Sequence, residues 1–263
     1  MPKVSNYSPE YCHQMTPADN QLQITDLLFD CDNTLVLSEV LAFKACANLA
    51  NAILEKQGIS DRYTGDQLIK DFVGQNFRGM MMSIQEKYNF VLPQDELEKY
   101  VGQEMDEVIK NLEAEAEECE GATEQLEKLA QSGKYRMAVV SSSAKPRVVA
   151  SVKKVGQDKY FPDELIFSAA TSLERPTTKP DPAIYLHAMK VVGAKPESSI
   201  AVEDSKSGAM AAIRAKIHTV AYVGSYPEEE QEEKAEMLMG LGCEALMHNW
   251  SEFPDILKKI EQA

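Results

Sequence analysis

Short apolar runs alternate with helical patterns through the second half of the chain, and this alternation restricts the fold more than any other feature. The runs "YRMAVVSSS", "LIFSA", "SSIAVED" and "HTVAYVG" are separated by segments whose apolar residues recur every three or four positions. "ITDLLFD", at residues 24–30, is an earlier run of the same kind. Strands that alternate with helices in this way form a parallel sheet with helices on both faces, so we predict an α/β fold.

From about residue 38 to residue 118 the pattern is helical instead. The stretch "EVLAFKACANLANAILEKQG" is typical of it, because its apolar residues lie three and four positions apart. We therefore expect a second, α-helical domain at residues 38–118, inserted into a core domain made of residues 23–37 and 119–263. The polar, proline-containing residues 1–22 are predicted to form an N-terminal arm.

Charge and cysteine content argue against several classes of partner. The 263 residues carry a net charge of −15, with a pI of about 4.8, which disfavours binding to a nucleic-acid backbone. No apolar run approaches the length of a membrane span, and the first residues lack an apolar signal core. The five cysteines are scattered, without a C-x-x-C pair, which fits a reducing compartment. We expect a cytoplasmic protein that binds neither nucleic acid nor membranes.

Polar residues follow three of the predicted strands at the point where each strand ends. Asp30 and Asp32 follow the first strand, Ser141–Ser143 the next, and Glu203 with Asp204 a later one. In open parallel sheets the carboxyl ends of the strands share one edge, where ligands bind. Lys179 begins a helical pattern after the loop "TSLERPTTKP". Because adjacent acids repel each other unless a cation or substrate offsets their charge, this convergence predicts a functional site.

Together these residues resemble the motifs of the haloacid dehalogenase superfamily of phosphohydrolases. The resemblance is to the subgroup with a helical cap inserted after the first motif, which contains sugar-phosphate phosphatases, phosphoglycolate phosphatases and β-phosphoglucomutase. The four motifs are "DCDNT" at 30–34, the serine run from 141, Lys179 in "TKPDPAIY", and "EDSKSG" at 203–208. Their order and spacing match from about residue 24 to 225. The resemblance implies a Rossmann-like parallel sheet core with an inserted α-helical cap.

The resemblance also assigns catalytic roles. Asp30 is expected to be the nucleophile that forms an aspartyl-phosphate, and Asp32 to protonate the leaving group and then deprotonate the attacking water. Lys179 is expected to offset the charge of Asp30 and of the phosphate. Contacts to the phosphate are expected from a larger set: Thr34, Ser141, Ser142 and Lys179.

Magnesium is the cofactor that the resemblance implies, since Mg²⁺ takes oxygen ligands from carboxylates, carbonyls and phosphate. Asp30 and Asp204 are the expected side-chain ligands, with the backbone carbonyl of Asp32 as a third. Glu203 is expected either to bind the ion directly or to accept a hydrogen bond beside it.

Substrate selection is expected to lie in the cap, where "FVGQNFRGMM" (72–81) resembles the loop that covers the substrate in this subgroup. Gly74 would permit close backbone approach, and Arg78 would pair with phosphate or sugar oxygens. Asn76 is a further specificity candidate, and so is Gln75.

The sequence predicts an Mg²⁺-dependent phosphatase of a small phosphorylated metabolite, a sugar or polyol phosphate, acting through an aspartyl-phosphate as a monomer or weak dimer. Two alternatives stay open: a phosphomutase of the β-phosphoglucomutase type, and a non-catalytic sensor of a phosphorylated ligand. Dehalogenases generally lack the second aspartate of the first motif. Phosphonate hydrolysis would need an imine-forming lysine, for which Lys44 and Lys70 stay open.

Overall fold

The computed structural model describes residues 23–72 and 75–262, so the predicted arm at 1–22 lies outside the described residues. The strands in this part of the chain are β1 (Asp26–Phe29), β2 (Val36–Leu37), β3 (Glu117–Glu118), β4 (Arg136–Ser141), β5 (Ile166–Ser168), β6 (Ser199–Glu203), β7 (His218–Tyr222) and β8 (Ala245–Met247). The helices are α1 (Glu39–Lys56), α2 (Gly65–Asp71), α3 (Phe77–Tyr88), α4 (Gln94–Glu115), α5 (Ala122–Ser132), α6 (Lys145–Lys154), α7 (Ala183–Val192), α8 (Lys206–Arg214), α9 (Glu228–Leu241) and α10 (Phe253–Glu261).

Six strands form one parallel sheet in the order β5-β4-β1-β6-β7-β8. β1 lies in the middle and is buried on both faces: Leu27 and Phe29 belong to one apolar cluster, and Leu28 belongs to another. Successive side chains of a strand point to opposite faces, so a strand covered on both sides must be apolar throughout. The predicted α/β class, with a parallel Rossmann-like sheet and a helical insertion, is confirmed.

The helical insertion, residues 39–115, consists of α1 to α4 and buries an apolar cluster of its own. Met80 and Met81 are buried in this cluster, whereas Met82 is exposed. The insertion leaves and rejoins the sheet region beside a small antiparallel pair, in which Val36 of β2 lies opposite Glu118 of β3. Within residues 23–72 and 75–262, no helix has both the length and the apolar content needed to cross a membrane.

The last forty residues contribute α9, the edge strand β8 and α10 to the side of the sheet. The acidic run at 227–236 indicates a solvated helix, which α9 matches, whereas β8 and α10 were not predicted. Trp250 is fully buried there against the rings of Phe29, Tyr222 and Phe253. Its Nε1 donates a hydrogen bond of 3.1 Å to the carbonyl of Thr34. The C-terminal region therefore supports, from below, the loop that follows β1.

Replacing Trp250 with alanine should reduce the stability of the fold. Trp250→Ala is expected to lower the free energy of unfolding by about 3–5 kcal/mol, because it leaves a cavity among three aromatic rings and an unpaired carbonyl. Urea unfolding followed by circular dichroism measures this. Trp250→Phe keeps most of the packing and should lose clearly less. A loss below about 1 kcal/mol for the alanine variant would contradict this account of the buried indole.

Candidate active site

The topology brings the predicted motifs to one edge of the sheet. β4, β1 and β6 are neighbours, so the serine run, Asp30 and the Glu203–Asp204 pair follow or end adjacent strands. Lys179 lies in the loop between β5 and α7 and reaches the same edge. The side chains of Asp30, Lys179, Glu203 and Asp204 are all buried. Four segments that are far apart in the sequence therefore form one charged cluster.

Lys179 is the cation at the centre of this cluster. Its Nζ donates to Asp30 Oδ1 at 2.6 Å, to Glu203 Oε1 at 2.7 Å and to the carbonyl of Val140 at 2.7 Å. An ammonium group has three protons, so each of them has an acceptor. The buried hydroxyl of Tyr185 donates to the same oxygen of Glu203. Glu203 is thereby fixed by two donors, and Lys179 by three acceptors.

One lysine does not balance the negative charge at this edge. Burial raises the pKa of Asp30 to about 7, although the charge of Lys179 opposes the shift. Burial, with the charges of Asp30 and Glu203, raises the pKa of Asp204 well above its usual value. Burial alone would lower the pKa of Lys179, but the charges of Asp30 and Glu203 outweigh it and the pKa is raised. Lys179 therefore stays charged, and the formal surplus of negative charge on the carboxylates is unfavourable without a further cation.

The carboxylates could hold a cation. Asp30, Glu203 and Asp204 each offer an oxygen atom, and these atoms lie within 4.8 Å of one another. An all-oxygen, acidic set suits a hard divalent ion. Asp204 Oδ2 also accepts a hydrogen bond of 3.0 Å from the hydroxyl of Tyr226. The donor set and its surplus of negative charge thus fit a bound metal ion.

Gly208 leaves room for Glu203. A Cβ atom at this position would lie 1.7 Å from Glu203 Oε2, which is far inside contact distance. Among the described residues, Glu203 Oε2 is buried without a hydrogen-bond partner. Gly208 lies in the first turn of α8, whose N-terminus is capped by Ser205 through a bond of 3.1 Å to the Gly208 N–H. The "EDSKSG" motif therefore needs its glycine so that the glutamate can pack against the helix.

Asp32 has a different environment from Asp30. It is only partly buried, and serine hydroxyls donate to both of its oxygens: Ser38 at 2.5 Å, Ser143 at 2.7 Å and Ser141 at 3.2 Å. Cys31, between the two aspartates, points into the core. Asn33 takes the left-handed conformation (φ 57°) that an asparagine tolerates well at this turn. Asp32 is thus oriented by hydroxyls, whereas Asp30 is paired with a cation.

A cleft of about 450 Å³ lies between this edge of the sheet and the helical insertion. Its size lies within the range of small-molecule sites. Its described walls contain Asp30, Asp32, Asn33, Glu39, Ala42, Phe43, Cys46, Gln75, Asn76, Phe77, Met80, Glu104, Ser142, Ser143, Arg147, Lys179, Asp204, Ser205, Ser207 and Tyr226. The core thus provides most of the charged residues, and the insertion provides Glu39 and Glu104 beside mainly apolar and amide side chains.

Two predicted phosphate contacts do not reach this cleft. Thr34 is fully buried beneath the loop, where its carbonyl accepts from Trp250, and it does not line the cleft. Ser141 is buried as well, because its hydroxyl points to Asp32 and accepts from the Ser143 N–H at 3.0 Å. The structure therefore does not bring these two predicted side chains to the wall of the cleft. Ser142, the other predicted serine, does line the cleft.

The candidates in the insertion also separate into two groups. Gln75 and Asn76 line the cleft, and Asn76 also caps α3 by accepting from the Gly79 N–H at 3.0 Å. Arg78 does not line it: its guanidinium forms a two-pronged pair with Glu98 of α4, with one contact at 2.6 Å. The expectation that Arg78 pairs with the substrate is corrected, because α4 supplies a carboxylate within its reach. Gly74 lies outside the described residues.

Lys44, which had stayed open as an imine-forming lysine, pairs with Glu115 at 2.6 Å and does not line the cleft.

Several residues that line the cleft were not singled out by the sequence analysis. They are Arg147, Glu104 and Tyr226. Arg147 was detectable in principle, because it lies in the first turn of the helix that follows the serine motif. Glu104 gave no such signal, since it is one of many acids on α4.

The chain was compared with known families and proteins. The model of the family described as haloacid dehalogenase-like hydrolase matches residues 27–222. A 6-phosphogluconate phosphatase of Escherichia coli (strain K12) is 30% identical over 73% of this chain and 80% of its own length. A phosphorylated carbohydrates phosphatase of Thermotoga maritima is 27% identical over 74% of this chain and 82% of its own.

Solved structures show the same fold. A predicted phosphoglycolate phosphatase from Haemophilus somnus 129PT superimposes with a TM-score of 0.71 at 20% identity, over 89% of this chain and 98% of the other. The family match covers most of the chain and spans the residues of the charged edge, from Asp30 to Asp204. The chain therefore belongs to the haloacid dehalogenase-like hydrolase family of enzymes.

Proposed function

We propose that this protein is an Mg²⁺-dependent phosphatase that hydrolyses a small phosphorylated carbohydrate through an aspartyl-phosphate intermediate. The observation that carries the proposal is the buried set of Asp30, Lys179, Glu203 and Asp204 at the base of a ligand-sized cleft. The names of the two sequence relatives, both phosphatases of phosphorylated sugars or sugar acids, support the substrate class. Solved structures of mutase-like proteins share the fold below 25% identity and do not favour isomerisation.

Asp30 is the nucleophile in this proposal. Its carboxylate lines the cleft and is held by Lys179 at 2.6 Å. The lysine charge reduces the repulsion between the aspartate and an incoming phosphate dianion, which is the main electrostatic obstacle to attack. Attack of an Asp30 oxygen on phosphorus breaks the bond to the sugar oxygen and leaves the phosphoryl group on the aspartate. Water then attacks the phosphorus, releasing inorganic phosphate and the free carboxylate.

Asp32 is the general acid and base. It protonates the departing sugar oxygen and then takes a proton from the attacking water. The hydroxyls of Ser38, Ser141 and Ser143 orient its carboxylate without placing a cation beside it. Asp30, by contrast, is held by the ammonium group of Lys179. The two aspartates can therefore perform different tasks.

Ser142 is the serine that we assign to the phosphate. Its Oγ accepts from the Lys179 backbone N–H at 3.2 Å, which leaves its own proton to donate into the cleft. The backbone N–H of Lys179 thus holds the Ser142 hydroxyl beside the lysine. This assignment takes the place of the contacts first expected from Thr34 and Ser141.

Asp30, Asp204 and the Asp32 carbonyl are the proposed Mg²⁺ ligands, and Glu203 either joins them or holds Lys179 beside them. When bound, the ion would neutralise the carboxylates and the phosphate oxygens together. The fit rests on the close approach of three carboxylates that have one buried cation between them. Magnesium is preferred over softer metals because oxygen atoms are the ligands offered.

We further propose that residues 38–118 act as a cap domain over a core of residues 23–37 and 119–263. Gln75 and Asn76 line the cleft from the insertion, beside Phe77 at the start of α3. The β2–β3 pair lies where the chain passes between the two parts. In this arrangement the amides of Gln75 and Asn76 contact sugar hydroxyls, while the sheet edge holds the phosphate.

A phosphate-release screen with Mg²⁺ tests the activity. The wild-type protein should release phosphate from at least one sugar, polyol or sugar-acid phosphate, and Asp30→Asn should reduce turnover by at least about 10³-fold, because an amide is a poor nucleophile. Circular dichroism should find the variant folded. Glucose 1-phosphate is included, and conversion to glucose 6-phosphate without phosphate release would identify a mutase instead. Tight binding of a phosphate ester without turnover would indicate a sensor.

Removal of metal gives a second test. Excess chelator should abolish turnover, and added Mg²⁺ should restore it. At a free Mg²⁺ concentration about 100-fold above its dissociation constant, the melting temperature should also rise by roughly 5–10 °C relative to the chelated protein. Asp204→Asn should lose most of this rise, whereas Asp255→Asn, which removes an exposed carboxylate from α10, should keep it. A chelator-insensitive enzyme would disprove the metal assignment.

Gly208→Ala tests the packing of Glu203. The added Cβ must displace Glu203, which disturbs Lys179 and the carboxylate cluster. We expect turnover to fall by about 100-fold and a higher Mg²⁺ concentration to be needed for half-maximal activity. Gly102→Ala is the matched control, because a Cβ there meets nothing within 4 Å on the exposed face of α4. Similar activity of the two variants would show that the position of Glu203 is unimportant.

A further inference from the structure

Arg147 is a charged residue of the cleft that the proposed chemistry does not use. It lies in the first turn of α6 and lines the cleft together with Cys46 of α1 and Glu104 of α4. α6 packs against α4, so Arg147 lies on a helix that borders the helical insertion. Arg147 and Lys179 are the two cationic side chains in the described walls of the cleft.

Arg147 lacks the kind of partner that Arg78 and Arg136 have. Arg78 pairs with Glu98, and Arg136 pairs with Asp26. The guanidinium of Arg147 makes no hydrogen bond or ion pair with any residue in 23–72 or 75–262, and its Nε is shielded from solvent. A buried donor without an acceptor is unfavourable, and arginine offers a planar set of donors that suits carboxylate and phosphate groups. The side chain is therefore prepared for an anionic ligand.

Arg147 and Lys179 come from different walls of the cleft. The helices α6 and α4 pack against each other, and each contributes a cleft residue, Arg147 and Glu104. Lys179 is instead held at the sheet edge, by Asp30 and by the carbonyl of Val140 on β4.

The charges of the cleft make this position selective. Its walls carry more acids than bases, since five carboxylates line it against two cations: Asp30, Asp32, Glu39, Glu104 and Asp204 against Lys179 and Arg147. A second negative group on a substrate would be repelled along most of this surface. Next to Arg147 it would find an unpaired cation. Discrimination between substrates is strongest where one favourable position lies among repulsive ones.

We propose that Arg147 binds a second oxyanion at the end of the substrate opposite the scissile phosphate. The substrate class is then a sugar phosphate with a carboxylate or a second phosphate at its far end. The inference rests on the proposed function, because that function places the scissile phosphate at Asp30. It adds a residue that determines which phosphate esters are preferred.

The test compares substrates that differ at the far end. 6-Phosphogluconate and glucitol 6-phosphate share an open six-carbon chain, and the first has a carboxylate where the second has a hydroxyl. Fructose 1,6-bisphosphate and fructose 6-phosphate form the corresponding pair for a second phosphate. The wild-type enzyme should prefer the doubly anionic member of at least one pair, and that pair identifies the source of the oxyanion.

Arg147→Met removes the charge and keeps an apolar stem. It should reduce the ratio of kcat/KM within the preferred pair by about 10- to 100-fold, which is the effect of one charge-assisted contact. Arg147→Lys should retain part of the ratio. Lys153→Met, which removes a charge from an exposed position of the same helix, should leave the ratio unchanged. A ratio that changes less than twofold in Arg147→Met, or that changes equally in Lys153→Met, would overturn the inference.

A binding measurement separates this inference from the proposed function. Calorimetric titration of the folded Asp30→Asn protein, with Mg²⁺ present, gives the affinity for both members of each pair without any turnover. If the wild type hydrolyses no phosphate ester, the proposed function fails, yet the affinity ratio still tests Arg147. Equal affinities for the paired ligands, with and without Arg147→Met, would overturn the role of Arg147 even in an active phosphatase.

Discussion

The buried ion pairs of Lys179 are the interaction on which the rest of this site depends. Asp30 and Glu203 are both removed from water, and each would be destabilising there without a cation. Lys179 compensates both at once, with distances of 2.6 and 2.7 Å, and uses its third proton on Val140 of the neighbouring strand. The lysine thereby fixes the spacing of β1, β4 and β6 at their carboxyl ends. The contacts that position Asp30 therefore also hold the three strand ends together.

This compensation is incomplete, because one ammonium group lies among three buried carboxylates. Asp204 and Asp30 both have raised pKa values because burial and mutual repulsion disfavour their charged forms. A further positive charge would relieve that repulsion, and a phosphate can approach the carboxylates only when such a charge is present. The same arrangement that destabilises the free edge therefore favours the binding of a cation together with an anionic ligand. Tyr226 and Tyr185 hold the carboxylates in place meanwhile.

The sequence predicted the sheet and the charged edge well because both follow from local rules. Apolar runs identify strands, and parallel strands place their last residues on one edge, so Asp30, Lys179 and Asp204 could be brought together without coordinates. Arg78 could not be placed in this way, since its partner Glu98 depends on how α3 packs on α4. Trp250 lies 216 positions from Thr34, and no periodicity links them. The sequence could not predict contacts that depend on how one element packs against another.

Ser38 links Asp32 to the helical insertion. It occupies the N-cap position of α1, where a serine normally accepts a hydrogen bond from the first turn of the helix, yet it makes no such bond. Its hydroxyl donates to Asp32 at 2.5 Å instead. The chain therefore forgoes a stabilising cap of about 1 kcal/mol at the first residue of the insertion. α1 contributes Phe43 and Cys46 to the cleft. A shift of this helix would therefore move Ser38 and change the orientation of the Asp32 carboxylate. The geometry of Asp32 is thus set jointly by the sheet, through Ser141 and Ser143, and by the insertion, through Ser38.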